Sequence, residues 1–285
     1  MNAIEDAYAA CQRLAQSHYE NFPVASRLLP AKLRPHVAAI YAFARTADDF
    51  ADEPGRGVEE RLRLLAEWKE RLHSVPGSRL PDPDAIFLAL HDTIERYDLP
   101  VELFDDLLDA FTQDVTKTSY ATWEEVLDYC RRSANPVGRL VLRLSGYRRD
   151  DLDRASDAVC TALQLTNFWQ DLAVDWSRGR LYVPEEVWRR HAANPEILNH
   201  GQITREWAAA LGDCADRTRR LFAAGRSVCD GVSGRLRFEL RATWLGGVRI
   251  LDRLQAAGFD VHHARPKLGA SDALMVGCKT LFWPR

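Results

Sequence analysis

The chain has 285 residues, 46% of them hydrophobic and 28% charged, with 38 Lys and Arg against 41 Asp and Glu and a net charge of −3. That balance belongs to an ordinary globular protein and excludes a disordered tail, a collagen-like or coiled-coil rod and, for want of a basic surplus, a nucleic-acid partner. Length gives a prior of about two domains, although a chain of this size can also bury roughly three quarters of its unfolded surface in one body.

Along the chain, MNAIEDAYAACQRLAQ has neither a basic nor an apolar leader region, which predicts no export signal. The longest apolar run, Val37 to Ala44, falls well short of the ~20 residues of a membrane span, so a cytoplasmic, at most peripheral protein is expected. Val58, Leu62, Leu65, Trp68 and Leu72 recur at helical spacing, as do Trp207, Leu211, Cys214, Thr218 and Leu221. Proline is absent from Val137 to Val183 and from Glu196 to Arg265, and alternating strand patterns are hard to find. Breaks fall at Pro54 to Gly57, His73 to Asp84, Ser145 to Asp150 and His191 to Gly201, each the length of an inter-helix connection. The expectation is an all-α chain forming one domain over 1–285. Its six cysteines form no CxxC pair and read as buried thiols of a reducing compartment. P-loop, GxSxG, HExxH and GxGxxG patterns are absent.

Two segments carry acid inside apolar helices. In VAAIYAFARTADDFADE, Tyr41, Arg45, Asp48 and Asp52 project within an arc of about 60°, while most other positions are apolar. In QLTNFWQDLAVDW, Gln164, Asn167, Asp171 and Asp175 share an arc of about 80°, beside a stripe of Leu165, Trp169, Leu172 and Trp176. Carboxylates four apart on a helix repel by roughly 3 kcal/mol at an effective dielectric near 20, and nothing basic sits between Asp171 and Asp175. Such oxygen-only pairs suit Mg²⁺, which commonly binds through one or two carboxylates together with substrate phosphates. Past the second pair comes SRGRLYVP, where Gly179 is a natural helix stop and Arg178 and Arg180 suit phosphate oxygens.

YAFARTADDFAD, QLTNFWQDLAVDWSRGRLYVP and, between them, DYCRRSANPVGRL resemble the motifs of the squalene/phytoene synthase family; Phe22, Ala25, Leu28, Leu29 and Pro30 are similar to its opening pattern. The resemblance runs from about Ser17 to Pro266 and implies a single-domain isoprenoid (terpenoid) synthase bundle with a central active-site cavity. It further implies ionisation of a prenyl diphosphate lipid assisted by two or three Mg²⁺ held by Asp48, Asp52, Asp171 and Asp175. Carried over in the same way, Asn167 assists the metals, Arg45 and Arg178 bind diphosphate, and Gln164, Tyr41, Phe22 and Tyr129 line the pocket; Arg180 and Tyr182 are further candidate substrate contacts, and Asn135 joins Tyr41 and Tyr129 as a candidate catalytic residue.

Three departures narrow the branch. Gln170 stands where relatives commonly have Arg, Asn135-Pro136 replaces small residues, and Glu20 to Pro23 replaces a Ser-rich opening. ENFPVAS, SANPVG and NFWQD resemble the branch of bacterial hopanoid biosynthesis that converts presqualene diphosphate to hydroxysqualene without NADPH. The alternatives are head-to-head condensation to presqualene diphosphate, squalene, dehydrosqualene or phytoene and, remotely, a non-catalytic assembly factor. Pro136 is expected either to kink a helix whose freed carbonyls orient the captured water or only to shape packing. The apolar substrate implies transient membrane contact and hand-over with neighbouring pathway enzymes; the C-terminal LMVGCKTLFWPR, with Phe282 and Trp283, is a candidate contact, with packing against the domain as the equal alternative.

Overall fold

The computed structural model describes residues 3–17, 29–53, 55–74, 85–263 and 265–283. Among these there is no β-strand, only one isolated bridge between Ser119 and Leu181. The chain gathers into two compact units, one of Met1–Thr116 with Pro136–Arg148, the other of Lys117–Asn135 with Arg149–Arg285.

In the first unit, helix α2 (Arg34–Asp52) lies among α1 (Ala3–Ser17), α3 (Val58–Leu72), α4 (Ala85–Tyr97) and α5 (Glu102–Asp114). Its central position follows from its composition, since His36 to Ile40, Ala42, Phe43, Ala47 and Ala51 are all buried. Phe43 stacks on Trp68 of α3, with centroids 5.9 Å apart, and meets Phe87 of α4 and Phe104 of α5 edge-on. The Trp68 indole N–H also donates to the Phe43 carbonyl at 3.3 Å. A polar knot sits beside this cluster: the Tyr8 hydroxyl donates to Asp92 at 2.6 Å and lies within 2.9 Å of His36 Nδ1 and 2.8 Å of Thr93 Oγ1. Burial pushes the His36 imidazole below its ordinary pKa, which keeps it neutral inside the knot. Val58, expected to begin the buried stripe of α3, is exposed; it is the first residue of the helix, and full burial starts about two turns later at Leu65.

The second unit is organised around α8 (Asp150–Ser177), a 28-residue helix. Against it pack α6 (Trp123–Ser133), α10 (Arg205–Gly225), the short α11 (Val228–Gly231) and α12 (Gly234–Ala256), while α9 (Glu185–Arg190) lies on α10 and α13 (Ala270–Leu281) on α12. The α8/α10 approach is closest at Gly225, where an added Cβ would lie 2.5 Å from the Ala155 carbonyl oxygen, so only glycine fits. Trp169, fully buried on α8, donates its indole N–H to Thr218 Oγ1 of α10 at 2.9 Å, which satisfies the one polar atom of a large apolar ring. Along α10 the buried stripe runs through Phe222 to Gly225, while Leu221 is half-buried.

Helix α7 (Asn135–Leu144) follows α6 after the single residue Ala134. Pro136 therefore opens a new helix instead of kinking a continuous one, in the first-turn position where its missing N–H costs nothing. All six cysteines are free; Cys11, Cys130, Cys214 and Cys229 are buried, but Cys160 is half-buried and Cys278 exposed. Burial pushes the Cys229 thiol up to about 12, leaving it inert as a nucleophile at neutral pH. No described helix is long and apolar enough to cross a membrane.

Candidate active site

The first aspartate pair lies on α2. Tyr41, Arg45, Asp48 and Asp52 are half-exposed on a helix whose remaining faces are largely buried, so the polar line read from the sequence faces outward from that unit's core. Arg45 is ion-paired within its own helix: Nη2 is 2.8 Å from Asp49 Oδ1, and Nη1 is 3.6 Å from Asp48 Oδ2. Asp49, absent from the predicted set, is thus the closer partner, because a residue four along brings its carboxylate to the end of the guanidinium. Arg45 Nε is buried with no hydrogen-bond acceptor. The guanidinium as a whole is half-exposed, and an oxyanion would reach it through its Nη groups in competition with Asp48 and Asp49.

The second pair lies on α8. Leu165, Thr166, Phe168, Trp169 and Leu172 are buried, whereas Gln164, Asn167, Asp171 and Asp175 form a half-exposed line along the same helix. The expectation that no basic group relieves this pair is corrected by Arg265, which reaches Asp171 from 94 residues away. Its Nε and Nη2 both engage the carboxylate, a two-pronged ion pair in which Asp171 is 16% exposed. The neighbouring Gln170 donates its amide N–H to the Pro266 carbonyl at 2.5 Å. Consecutive residues of α8 therefore hold consecutive residues of the segment after α12. Gln170, conspicuous in the sequence as a missing Arg, has a local partner that its own segment does not reveal.

Beyond Asp175 the helix stops at Gly179, whose φ of +78° is readily adopted only by glycine. The Arg180 amide N–H folds back to the Asp175 carbonyl at 2.9 Å, so the backbone of the RGR turn is tied to the last aspartate of the line. The Leu181 N–H then donates to Thr118 O at 2.8 Å and the Glu185 N–H to Tyr120 O at 2.9 Å, fastening the following segment to residues 118–121. Arg178 is exposed and Arg180 half-exposed. Tyr182 is buried, its ring stacked on Phe168 of α8 at 3.8 Å with the planes 3° apart. Tyr129 and Tyr120 complete this aromatic group, with centroids 5.9 and 5.6 Å from Tyr182. Tyr120 was missing from the predicted set because its segment carries no motif. Asn135 is buried where α7 begins, and its Oδ1 accepts from Thr161 Oγ1 of α8 at 2.9 Å. Phe22, together with Glu20 to Pro23, Ala25 and Leu28, lies outside the described residues.

The two aspartate pairs fall in different units, and among the described residues no three His, Cys, Asp or Glu side chains gather into a ready-made metal cluster. The donor set nevertheless suits a hard cation. It consists of carboxylate oxygens only, although on Asp171 a cation would compete with the Arg265 guanidinium.

An all-helical body with two buried helices, each cut by a half-exposed line of paired aspartates with arginine close by, has the fold of an isoprenoid synthase. The chain belongs to the squalene/phytoene synthase family, whose model matches residues 15–272. Among relatives, it is 36% identical to a hydroxysqualene synthase of Zymomonas mobilis over 71% of this chain and 67% of that one, and 34% identical to one of Sinorhizobium fredii over 79% and 76%. Among solved structures it is similar to the crystal structure of squalene synthase HpnC from Alicyclobacillus acidocaldarius, with a TM-score of 0.82 and 37% identity over 90% of this chain and 99% of that one. The protein is accordingly a prenyl-transferring enzyme of squalene/phytoene-synthase type, in a family that generally uses a divalent metal.

Proposed function

We propose that the protein converts presqualene diphosphate to hydroxysqualene, as a single catalytic domain over 1–285, in hopanoid biosynthesis. The carbon–oxygen bond to diphosphate breaks, the cyclopropylcarbinyl cation rearranges, and water adds through oxygen and loses a proton. The observation that carries this reading is the half-exposed line Gln164, Asn167, Asp171 and Asp175, set beside the buried Leu165, Phe168, Trp169 and Leu172 of the same helix and running into the RGR turn. Relatives bearing the name hydroxysqualene synthase at 34–36% identity support the choice of branch.

Asp48, Asp52, Asp171 and Asp175 would hold Mg²⁺, which supplies neutralisation of the leaving diphosphate. This chain's own cations add to that: Arg45, Arg178 and Arg180 offer N–H donors to phosphate oxygens, and such donors stabilise charge as it develops on the leaving group. Asn167 and Gln164 offer amide donors along the same line. Tyr41 and Tyr129 present aromatic groups able to steady a carbocation by cation–π attraction. Gln170 is neutral and occupied by Pro266 O, consistent with a substrate that carries one diphosphate instead of two. For Asn135 the bond to Thr161 fixes the amide, and an Asn135→Ala variant with unchanged rate and alcohol product would remove it from the capture of water. NADPH is not required, since no carbon is reduced. Localisation is proposed as cytoplasmic with transient membrane contact, and hand-over with neighbouring pathway enzymes follows from an oily substrate and product.

The test is product identification. Purified protein is incubated with presqualene diphosphate or with farnesyl diphosphate, each with and without NADPH. An alcohol from presqualene diphosphate without NADPH is expected; turnover of farnesyl diphosphate alone would assign a condensing activity instead.

A further inference from the structure

The polar line of α8 extends one turn beyond Gln164. Thr161, three residues earlier, projects within about 60° of it on the same side of the helix. Thr161 is 6% exposed, and against it lies Asn135, 8% exposed, where α7 begins. The Thr161 hydroxyl donates to Asn135 Oδ1 at 2.9 Å, a contact within the second unit. Other helical threonines of this chain use their hydroxyl locally. Thr112, Thr166 and Thr218 donate to the carbonyls of Leu108, Ala162 and Cys214, four residues earlier, at 2.7, 2.7 and 2.8 Å. Thr161 spends its one donor on a different helix instead.

Fixing Oδ1 also fixes the rest of the amide. With that oxygen taken by Thr161, the amide N–H groups of Asn135 point the other way, and they have no partner among the described residues. A buried donor left without an acceptor costs about 1–3 kcal/mol, so the pair is built for an acceptor that comes from outside the chain. Two reactants of the proposed reaction carry acceptors: the diphosphate and water. Thr161 precedes Asp171 by ten residues, about 15 Å along the helix axis, whereas the acids and the RGR turn mark the diphosphate end of the line. The hydrocarbon of the substrate has no acceptor, which leaves water.

We propose that Thr161 is a positioning residue for capture of the carbocation: by holding Oδ1 of Asn135, it aims the amide N–H groups at the water that adds. The proposal rests on the hydroxysqualene-forming reading above. One lone pair of the water oxygen accepts from the amide, and the other forms the carbon–oxygen bond to the cationic carbon. The proton shed by the resulting oxonium passes to the released diphosphate. Without the Thr161 hydroxyl the amide turns freely and the water is no longer held. The cation then loses a proton from carbon to the same diphosphate, and the product is a hydrocarbon with one more double bond instead of an alcohol.

The experiment measures the ratio of alcohol to hydrocarbon formed from presqualene diphosphate, compared at equal amounts of diphosphate released. Thr161→Val keeps the shape of the side chain and removes the donor, while Thr161→Ser keeps the donor. The ratio should fall about tenfold or more in Thr161→Val and return to within about threefold of the natural value in Thr161→Ser. Thr161→Ala, which also lacks the donor, carries the same expectation if the valine variant does not fold. A merely structural role slows both products alike, so an unchanged ratio in the donor-free variant would overturn the proposal, as would a loss that serine does not restore. A natural chain that forms no alcohol from presqualene diphosphate would overturn the reaction assignment and the proposal with it, so the two failures are told apart.

Discussion

The two aspartate pairs reach electrostatic balance by different routes. On α2 a compensating cation, Arg45, stands one turn before the acids and pairs with Asp48 and Asp49 of the same helix. On α8 the cation is Arg265, brought by a segment that lies beyond four further α-helices in the chain and is held in place by Gln170 and Asp171 together. Balance on α2 can form as soon as its helix does. Balance on α8 depends on the completed packing of the second unit, so the second pair is the one that tertiary structure can tune.

The largest expected effect separates acids in the lines from acids beside them. Asp171→Asn should lower turnover at least about a hundredfold with the helical circular dichroism unchanged, as loss of charge stabilisation at a leaving group does. Asp49→Asn, which touches only the ion pair of Arg45, should change it less than about threefold. Equal losses in the two variants, measured as steady-state kcat, would erase the distinction between line and neighbour.

Next is Arg45→Gln. Removing a charged donor to phosphate should raise KM about tenfold to a hundredfold. The melting temperature should hardly move, because a half-exposed pair within one helix contributes under about 1 kcal/mol.

Arg265→Gln probes the distant route. With Mg²⁺ alone and no substrate, the concentration giving a half-maximal thermal shift should fall about threefold to tenfold, because Asp171 loses its competing cation. No change would show that the ion pair does not oppose the metal.

The smallest effect concerns the anchor of the segment that follows Arg265. The Arg249 guanidinium, the Gly269 N–H and Arg253 together hold the Asp272 carboxyl at about 2. A depressed carboxylate pKa stabilises the fold above the ordinary value of about 4, and that contribution is lost as pH falls from there toward 2. Asp272→Asn should therefore lower the melting temperature at pH 7, and the difference from the natural chain should narrow on acidification through that window.

Reading the same contrast back to the sequence explains what was legible there. Helix type, the breaks after Asp52, Leu72, Leu144 and Arg190, the stop at Gly179 and both half-exposed lines are encoded by residues within a turn or two of one another, where helical periodicity applies. Arg265, Tyr120 and the partner of Gln170 were invisible because chain separation carries no periodic signal. Asp49 was overlooked although it lay within reach, since attention to a four-residue spacing favoured Asp48 and Asp52. Pro136 and Trp283 each leave two readings open in the sequence, and Trp283 is packed edge-on against Trp244. Residue type correctly marks a special position in each, but one opens a new helix and the other turns inward, and only neighbouring helices decide that.

The fastening of residues 181–185 to residues 118–121, together with the face-to-face Phe168–Tyr182 stack, has a thermodynamic corollary for the RGR turn. Its backbone loses conformational freedom when the protein folds, not when a ligand arrives, so an anion meets a preorganised turn and association carries little ordering entropy. Longer or looser chain between Gly179 and Leu181 would transfer that entropy to the binding step and weaken capture of diphosphate without altering a single contacting side chain.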